Sequence, residues 1–492
     1  MRSYKVLIFI VLVITALAFI CAFFPKDGIY VGSLHLHFPS LEKVLTRNSE
    51  DTDIDADVLL KATEADSVLQ AAKDTISYYV KELSVSPAKF YFPNNKLSYF
   101  DQLFDVLSQA QQSGKTIRIL HYGDSQIELD RLSYNIRSFF QEIFGGNGPG
   151  MLPLIQDIPT ASVSQYATGG ATPYAAYGET ERRRDGFYGP MAKCFTINGS
   201  VTLNVTAAKS EQIDSNLKHF GSVKLLVNAK SNNFSATLKS KTSNYEQTQT
   251  APVGLQLLEW KFDKRVNNLQ LTLQGNGDIF GIMVDGNGGV AVDNIPMRGC
   301  SGTIFTRIND SLLLKSYQML DVGLIIMQFG GNSIPSINSQ KAVDDYKARI
   351  VAQIQYLKRL CPQACILFIG PSDMCTRYQG EMRTYTHLPA TVQALREAAT
   401  ENGIAFWNLY EVMGGKNSMI AWVRSGMAGS DYVHFTPKGA QKVGHVLSRS
   451  FRSLYELYLM RQEMPKQQFN KLWHELENAM NSDTNHITNK TE

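Results

Sequence analysis

One serine of this chain stands where its side chain could do chemistry. Residues 119–132 read ILHYGDSQIELDRL, an apolar run that stops at Gly-Asp-Ser and passes into a helical pattern, with Ser125 at the corner. A serine in this place is either a helix N-cap or a nucleophile. Its hydroxyl is a poor nucleophile until a base removes the proton, and a third group must orient that base. The nucleophile interpretation therefore requires an imidazole and a carboxylate elsewhere in the chain.

Asp431 and His434 provide these two groups. They stand three positions apart, between the last predicted strand and the last predicted helix. This spacing lets Asp431 bind one ring nitrogen of His434 while the other nitrogen faces Ser125. The alternative is that Asp431 or Thr436 simply caps the helix and His434 is a surface residue. A second Asp-x-x-His, Asp483 and His486 in the polar tail, shows that the spacing alone is a weak signal. The position after a strand favours the first pair.

Acyl transfer also needs hydrogen-bond donors that face the developing oxyanion. Gly299 in NIPMRGCSG and Asn332 in MQFGGNS both follow predicted strands. The backbone N–H of Ser125, at a helix start, is a third candidate donor. Gly299 and Asn332 also have a plainer interpretation, because both residue types are common in turns. His121, on the strand before Ser125, is expected to be a packed histidine.

The elements that would position these side chains alternate between strands and helices from about residue 100. The strand candidates are TIRILHYG, DVGLIIMQFGG, ACILFIGP and IAFWNLYEV, and the helix candidates include KAVDDYKARIVAQIQYLKRLC, LPATVQALREAATENG and TPKGAQKVGHVLSRSFRSLYELY. Leu129, Leu132 and Ile136 begin a helical spacing that predicts a helix directly after Ser125. Continuous apolar strands separated by helices predict an α/β fold with a parallel sheet covered on both faces. Sites in such sheets form at the carboxyl ends of the strands.

This alternation disappears between about residues 190 and 288. SVKLLVNAKS, FSATLKS, LQLLEWKF and NNLQLTLQG have strand-like alternation with turn residues between them. The pattern predicts an inserted all-β domain, a sandwich or jelly roll, over residues 191–287.

The N-terminus predicts a membrane anchor. Arg2 and Lys5 precede an uncharged run over residues 6–24, which is long enough to cross a bilayer as a helix. We favour an uncleaved transmembrane helix over a signal peptide, with residues 1–5 cytoplasmic and the rest across the membrane. Residues 25–95, with the acidic stretch NSEDTDIDAD, are interpreted as a spacer, and residues 459–492 as a charged helix followed by a polar tail.

The composition excludes some classes of partner. The chain has 492 residues, 44% of them hydrophobic and 19% charged, with a net charge of +3. This balance gives no argument for nucleic acid. Five cysteines lie outside the anchor without a Cys-x-x-Cys pair, which makes zinc improbable. A disulfide within residues 361–375 stays open, and neither a metal nor a cofactor is predicted.

Four blocks in order give the chain a family resemblance. Gly-Asp-Ser after the first strand, Gly299, the Gly-x-Asn that ends at Asn332, and Asp-x-x-His before the last helix resemble the signature of SGNH (GDSL-type) hydrolases. The resemblance implies a flavodoxin-like three-layer α/β/α domain over residues 96–190 and 288–458. It also implies ester hydrolysis, with Ser125 attacking, His434 as base and then acid, and Asp431 orienting. Ser125, Gly299 and Asn332 would form the oxyanion hole.

The β insert and the FGGNGPG stretch are similar to bacterial peptidoglycan O-acetylesterases, where a carbohydrate-module-like sandwich interrupts the catalytic domain. This similarity implies an acetylated, peptidoglycan-like glycan as substrate and an anchored enzyme facing the periplasm or cell exterior, most simply at a bacterial inner membrane. Gln126 departs from the wider family, which often has leucine after the serine. Two other functions stay open. One is an O-acetyltransferase of the same fold, with a membrane-bound acyltransferase as partner; the other is a non-catalytic glycan-binding envelope protein.

Overall fold

The computed structural model describes residues 73–208 and 214–488, the short stretches 29–31 and 34–36, and positions 12, 13, 15, 19 and 23. The chain divides into two compact units, Met1–Lys73 and Asp74–Glu492. Most of the predicted anchor at 6–24 and most of the predicted spacer lie outside the described residues. Where the structure describes the chain, none of its helices has both the length and the apolar character that a membrane span needs.

The strands are β1 (Ile29–Val31), β2 (Leu34–Leu36), β3 (Phe90–Tyr91), β4 (Thr116–Gly123), β5 (Gly150–Leu152), β6 (Val163–Ala175), β7 (Lys193–Ala207), β8 (Phe220–Ala229), β9 (Phe234–Ser240), β10 (Tyr245–Ala251), β11 (Gly254–Val266), β12 (Asn268–Asp285), β13 (Gly289–Pro296), β14 (Val322–Gln328), β15 (Cys365–Ile369), β16 (Cys375–Tyr378), β17 (Glu381–Thr384) and β18 (Ala405–Trp407). The α-helices of the described residues include α1 (Asp101–Ser113), α2 (Ser133–Phe144), α3 (Asp310–Met319), α4 (Gln340–Leu360), α5 (Leu388–Glu401), α6 (Leu409–Met413), α7 (Ser418–Arg424), α8 (Pro437–Glu463) and α9 (Lys466–Thr488). In the first unit, β1 and β2 form an antiparallel pair.

A parallel sheet forms the centre of the second unit. Among the described residues it has six strands in the order β13-β4-β14-β15-β18-β3, and only β3 runs antiparallel to its neighbour. Successive strand side chains point to opposite faces. Ile119 of β4 packs in one buried cluster with residues of α1, α2 and α8, and Leu120 in another with residues of α3, α4 and α5. The sheet therefore lies between two helical layers, and the predicted α/β fold is confirmed.

A second, antiparallel sheet contains the segment, from about residue 190 to 288, in which strand and helix patterns do not alternate. Its eight strands in the described part of the chain are β5 to β12. The long strand β12 pairs with β7 and β9 through its first half and with β8 and β5 through its second half. Inward-facing residues of these strands share one hydrophobic cluster. Both sheets belong to the second compact unit, so a separate inserted domain stays a prediction.

Two of the predicted boundaries differ from the positions of the strands. β3 lies within the predicted spacer but pairs with β18, because Phe90 and Phe92 are apolar and only 4% and 5% exposed. β5 and β6 precede the predicted start of the β region at residue 191, yet β5 pairs with β12 and β6 with β7. The strand character of β6 is weak in the sequence because its residues are mostly small, polar and exposed.

The end of the chain also differs from the prediction. IAFWNLYEV forms only the short strand β18 and then turns into α6, since the Asn408 side chain accepts a hydrogen bond from the Glu411 N–H and caps that helix. α8 continues past the predicted boundary at residue 458 to Glu463, and α9 follows it. Phe469, Leu472 and Trp473 of α9 are buried in the core cluster. Within the described residues, the cysteines at 194, 300, 361, 365 and 375 are all free.

Candidate active site

Ser125 lies directly beyond the carboxyl end of β4. Asp124, and not Ser125, caps the short 3₁₀ helix Ser125–Asp130, because its Oδ1 accepts a hydrogen bond from the Gln126 N–H at 3.0 Å. Ser125 is therefore not the N-cap of this helix. The predicted uninterrupted helix is wrong: Leu129 has a φ of +62°, and α2 begins only at Ser133. Leu129 is 42% exposed instead of facing the core.

Ser125, His434 and Asp431 lie in hydrogen-bond contact in that order. The Ser125 Oγ is 2.8 Å from the His434 Nε2, and the His434 Nδ1 is 2.7 Å from the Asp431 Oδ2. The other oxygen of Asp431 accepts hydrogen bonds from the backbone N–H groups of Val433 and His434 at 3.0 and 3.1 Å. The cap of α8 is Thr436, whose hydroxyl accepts from the Gly439 N–H, so Asp431 is not that cap.

Asp431 is held as an anion beside the imidazole. Partial burial raises its pKa, but the hydrogen bonds from the His434 ring and from the backbone N–H groups of Val433 and His434 outweigh burial. The net effect is a pKa of Asp431 below its ordinary value. A carboxylate in this place favours the tautomer of His434 that carries its proton on Nδ1 and leaves Nε2 able to accept the proton of Ser125.

The two predicted oxyanion donors line the same cavity as Ser125 and His434. Gly299 follows β13 with a φ of +71°, and an added Cβ would meet nothing within 4 Å. Among the described residues, none accepts a hydrogen bond from its backbone N–H. Asn332 follows β14, and its Nδ2 donates at 3.2 Å both to the Asp124 Oδ2 and to the Cys300 carbonyl oxygen. The structure thus brings all five predicted site residues to one edge of the parallel sheet.

The cavity has a volume of about 630 Å³. Its lining combines polar residues with the apolar Phe329, Pro371, Met374 and Leu409. In this lining the exposed Arg298 donates two hydrogen bonds, of 2.7 and 2.8 Å, to the buried carboxylate of Glu128. Neither residue is predicted from the sequence, in which the adjacency of Arg298 to Gly299 is the one signal for Arg298.

Two buried ionisable residues, Asp124 and His121, precede Ser125 in the chain. Burial raises the pKa of Asp124 to about 6 against the hydrogen bonds that it accepts. His121 is fully buried, as predicted for a packed histidine, with Nε2 3.0 Å from the Gln328 Oε1 and Nδ1 2.8 Å from the Ser133 Oγ. Burial lowers the pKa of His121 to about 4. His121 is therefore neutral at ordinary pH and takes no part in the Ser125 contact.

The geometry permits one type of chemistry directly. The imidazole can take the proton of Ser125 as its oxygen attacks a carbonyl carbon, and the carboxylate stabilises the imidazolium that forms. Donors from separate strands lie beside the same cavity, where charge would develop on a bound carbonyl oxygen. The arrangement is that of nucleophilic acyl transfer.

Comparisons with known proteins find a family profile and solved structures that are similar to this chain. The profile of the GDSL-like Lipase/Acylhydrolase family matches residues 271–442, which include Gly299, Asn332, Asp431 and His434 and begin after Ser125. No curated protein sequence matches the chain. A solved structure of a peptidoglycan O-acetylesterase is similar over 75% of this chain and 99% of that chain, with 21% identity and a TM-score of 0.60.

Two other solved structures are more distant. A family two carbohydrate esterase from Cellvibrio japonicus is 10% identical, covers 60% of this chain and 99% of that chain, and has a TM-score of 0.24. An acetyl xylan esterase is 13% identical, covers 33% of this chain and 81% of that chain, and has a TM-score of 0.26.

Proposed function

We propose that this chain, which carries a GDSL-type acylhydrolase domain, is a serine esterase that removes O-acetyl groups from a cell-envelope polysaccharide, most simply peptidoglycan. The observation that carries the proposal is the Ser125–His434 contact of 2.8 Å, with Asp431 on the other ring nitrogen, at a cavity that also holds Gly299 and Asn332. The likeness to a peptidoglycan O-acetylesterase structure supports the choice of substrate class.

In the first half of the proposed reaction, the Ser125 Oγ attacks the acetyl carbonyl carbon while the His434 Nε2 takes its proton. The oxyanion of the tetrahedral intermediate accepts hydrogen bonds from the backbone N–H groups of Ser125 and Gly299 and from the Asn332 amide, which exchanges one of its two bonds to Asp124 and Cys300 for this contact. The intermediate collapses as the carbon–oxygen bond to the sugar breaks. His434 returns the proton to the leaving sugar oxygen, and an acetyl group remains on Ser125.

In the second half, His434 removes a proton from a water molecule, which attacks the acetyl-Ser125 carbonyl. Collapse of the second tetrahedral intermediate restores the Ser125 hydroxyl and releases acetate. A sugar hydroxyl in place of water would give an O-acetyltransferase with the same residues. We choose hydrolysis because the matched family is one of acylhydrolases.

We further propose that the enzyme acts outside the cytoplasm, anchored by residues 6–24. The support is the sequence itself, an uncharged run preceded by Arg2 and Lys5. An anchored enzyme with this orientation would face the envelope polymer that the proposed activity modifies.

The activity is tested with the full-length protein in detergent and O-acetylated peptidoglycan as substrate. We expect acetate release that depends on Ser125. In a parallel reaction, an acetyl-aryl ester is the donor and a chito-oligosaccharide is the acceptor, and free acetate should form faster than acetylated sugar. The opposite order would make the protein a transferase. Absence of acetate from both the glycan and the aryl ester would contradict an enzymatic function.

A further inference from the structure

Gln126, the residue after Ser125, connects the serine segment to the loop that carries His434. Its side chain is buried, with 8% exposure. The Gln126 Nε2 donates to the Val433 carbonyl oxygen at 2.6 Å, and its Oε1 accepts from the Phe435 N–H at 3.3 Å. One primary amide therefore binds both peptide groups that flank His434.

We propose that Gln126 is the positioning residue that holds the His434 ring against the Ser125 hydroxyl. The inference rests on the roles proposed for Ser125 and His434. SGNH hydrolases often have leucine at the position of Gln126. The resemblance to that family therefore assigns no role to this glutamine.

The contacts within the His434 loop do not fix the distance to Ser125. Asp431 orients the imidazole from within the same loop, through its bonds to the ring and to two backbone N–H groups. Bonds from outside the loop are what locate it relative to β4. Besides Gln126, these include the Arg131 guanidinium, which donates to the Phe435 carbonyl oxygen at 2.8 Å, and the Cys375 N–H, which donates to the Tyr432 carbonyl oxygen at 3.2 Å.

Gln126 differs from these other links because its backbone is joined directly to Ser125. Its own N–H is held by the Asp124 carboxylate, which fixes the corner on which the serine stands. Its Nε2 also lies 3.4 Å from the Ser372 Oγ, on the loop after β15. A shift of the His434 loop away from Ser125 would break hydrogen bonds made by the residue next to the nucleophile.

The chemistry of the contact requires an amide. Val433 presents an acceptor and Phe435 a donor, and a glutamine side chain offers a donor and an acceptor on one planar group. A leucine or methionine could fill the volume but would leave both backbone groups without this partner. A glutamate carboxylate could accept from Phe435 but would repel the Val433 carbonyl oxygen.

The test compares Gln126→Met and Gln126→Glu with the wild-type protein, using an acetyl-aryl ester as substrate. We expect kcat to fall about ten- to hundredfold in each variant, because a small displacement of a catalytic group is costly, while KM changes less than about twofold. Labelling of Ser125 by a serine-directed organophosphonate should slow by a similar factor. Two variants are used so that the test can still be made if one of them does not fold.

The matched control is Gln141→Leu. Gln141 is also a buried glutamine that binds backbone carbonyl oxygens, those of Gly148 and Val290, but it does not line the site cavity. We expect it to lower stability and leave kcat unchanged. The proposal is overturned by a folded Gln126 variant with wild-type kcat, or by a control that loses as much kcat for the same loss of stability. Activity that persists in Ser125→Ala would instead overturn the proposed function, so the two failures are distinguishable.

Discussion

Two titratable side chains at the corner before Ser125 respond to burial in opposite ways. The pKa of Asp124 is raised to about 6, so the folded state retains a proton that the unfolded chain has already lost. The pKa of His121 is lowered to about 4, so on acidification the unfolded chain binds a proton that the folded state does not bind. Between about pH 4 and pH 6, acidification stabilises the fold through Asp124 and destabilises it through His121.

Asp124→Asn should therefore make the fold more sensitive to acid. With the Asp124 contribution removed, the free energy of unfolding should fall from pH 6 to pH 4 by roughly 2–3 kcal/mol more than in the wild type. Urea unfolding at several pH values measures this difference. The exposed Asp344→Asn is the control and should keep the wild-type slope. If the free energy of unfolding of Asp124→Asn changed with pH as it does in the wild type, the raised pKa assigned to Asp124 would be contradicted.

At this scale the sequence predicts the three side chains of the Ser125 contact, because a nucleophile, a base and an orienting carboxylate are recognisable by type. It does not predict that Asp124 takes the cap position, since Asp, Ser and Asn are all suitable caps. The role of Gln126 cannot be predicted from the sequence either. Its partners are backbone groups more than three hundred positions away, and the sequence does not show which side chain a backbone group binds.

The entry into α8 determines where His434 can lie. Gly439 is in the first turn of this helix, and an added Cβ there would overlap the backbone carbonyl of Met427. The Gly439 N–H is bound by the capping hydroxyl of Thr436, which itself donates to the Gly426 carbonyl oxygen at 2.8 Å. The helix start and the loop from Met427 to His434 are therefore packed too closely for any side chain at 439.

Gly439→Ala should lower both stability and activity. Relief of the overlap requires the first turn of α8 to move away from Met427, at a cost of about 1–3 kcal/mol. His434 moves with that turn, so kcat should fall. The comparison is with Gln441→Ala, on the exposed side of the same turn, which should be neutral in both measurements. A stable, fully active Gly439→Ala protein would show that the contact does not constrain the loop.

Elements with strong apolar patterns are predicted well from the sequence. TIRILHYG matches the bounds of β4, and the amphipathic segment from residue 341 matches α4 closely. The pattern fails at Leu129, where apolar spacing continues through a residue with left-handed backbone conformation outside α2. The spacing of apolar residues indicates which face of a helix or strand is buried. It does not indicate where a turn interrupts that helix or strand.

The two sheets of the second unit are joined by buried charges. Arg118 of β4 is 1% exposed, donates to the Asp293 carboxylate at 2.6 Å, and forms an ion pair with Asp285 at the end of β12. Asp293 lies on β13, and burial raises its pKa despite the neighbouring guanidinium. The parallel sheet and the antiparallel sheet thus share one buried ionic group.

Arg118→Met should destabilise the whole second unit, because it leaves two carboxylates buried without their cation. We expect the free energy of unfolding to fall by about 3–5 kcal/mol in a single cooperative transition. Urea unfolding followed by fluorescence measures it, with Trp260 on β11 and Trp407 on β18 as probes of the two sheets. The exposed pair of Arg359 with Asp310 gives the control Arg359→Met, with a loss below about 1 kcal/mol. Separate transitions for the two probes would contradict this coupling.

At the scale of the whole molecule the sequence predicts an α/β layer and a β region but not their limits. β5 pairs with β12 across about 130 positions, and β3 pairs with β18 across more than three hundred. Short strands like these are stable only through such partners, so their own residues carry little signal. The predicted boundaries at residues 95 and 191 therefore fall between strands that pair with each other.

Hydrolysis of an acetyl-aryl ester by the full-length wild type and by Ser125→Ala tests directly whether Ser125 is the nucleophile. Members of a catalytic triad act as a unit, so the variant should lose about 10³-fold or more in kcat. Brief incubation of the wild type with the ester should also leave one acetyl group on Ser125, detectable by mass spectrometry. Undiminished hydrolysis by the folded variant would contradict the assignment of Ser125 as the nucleophile.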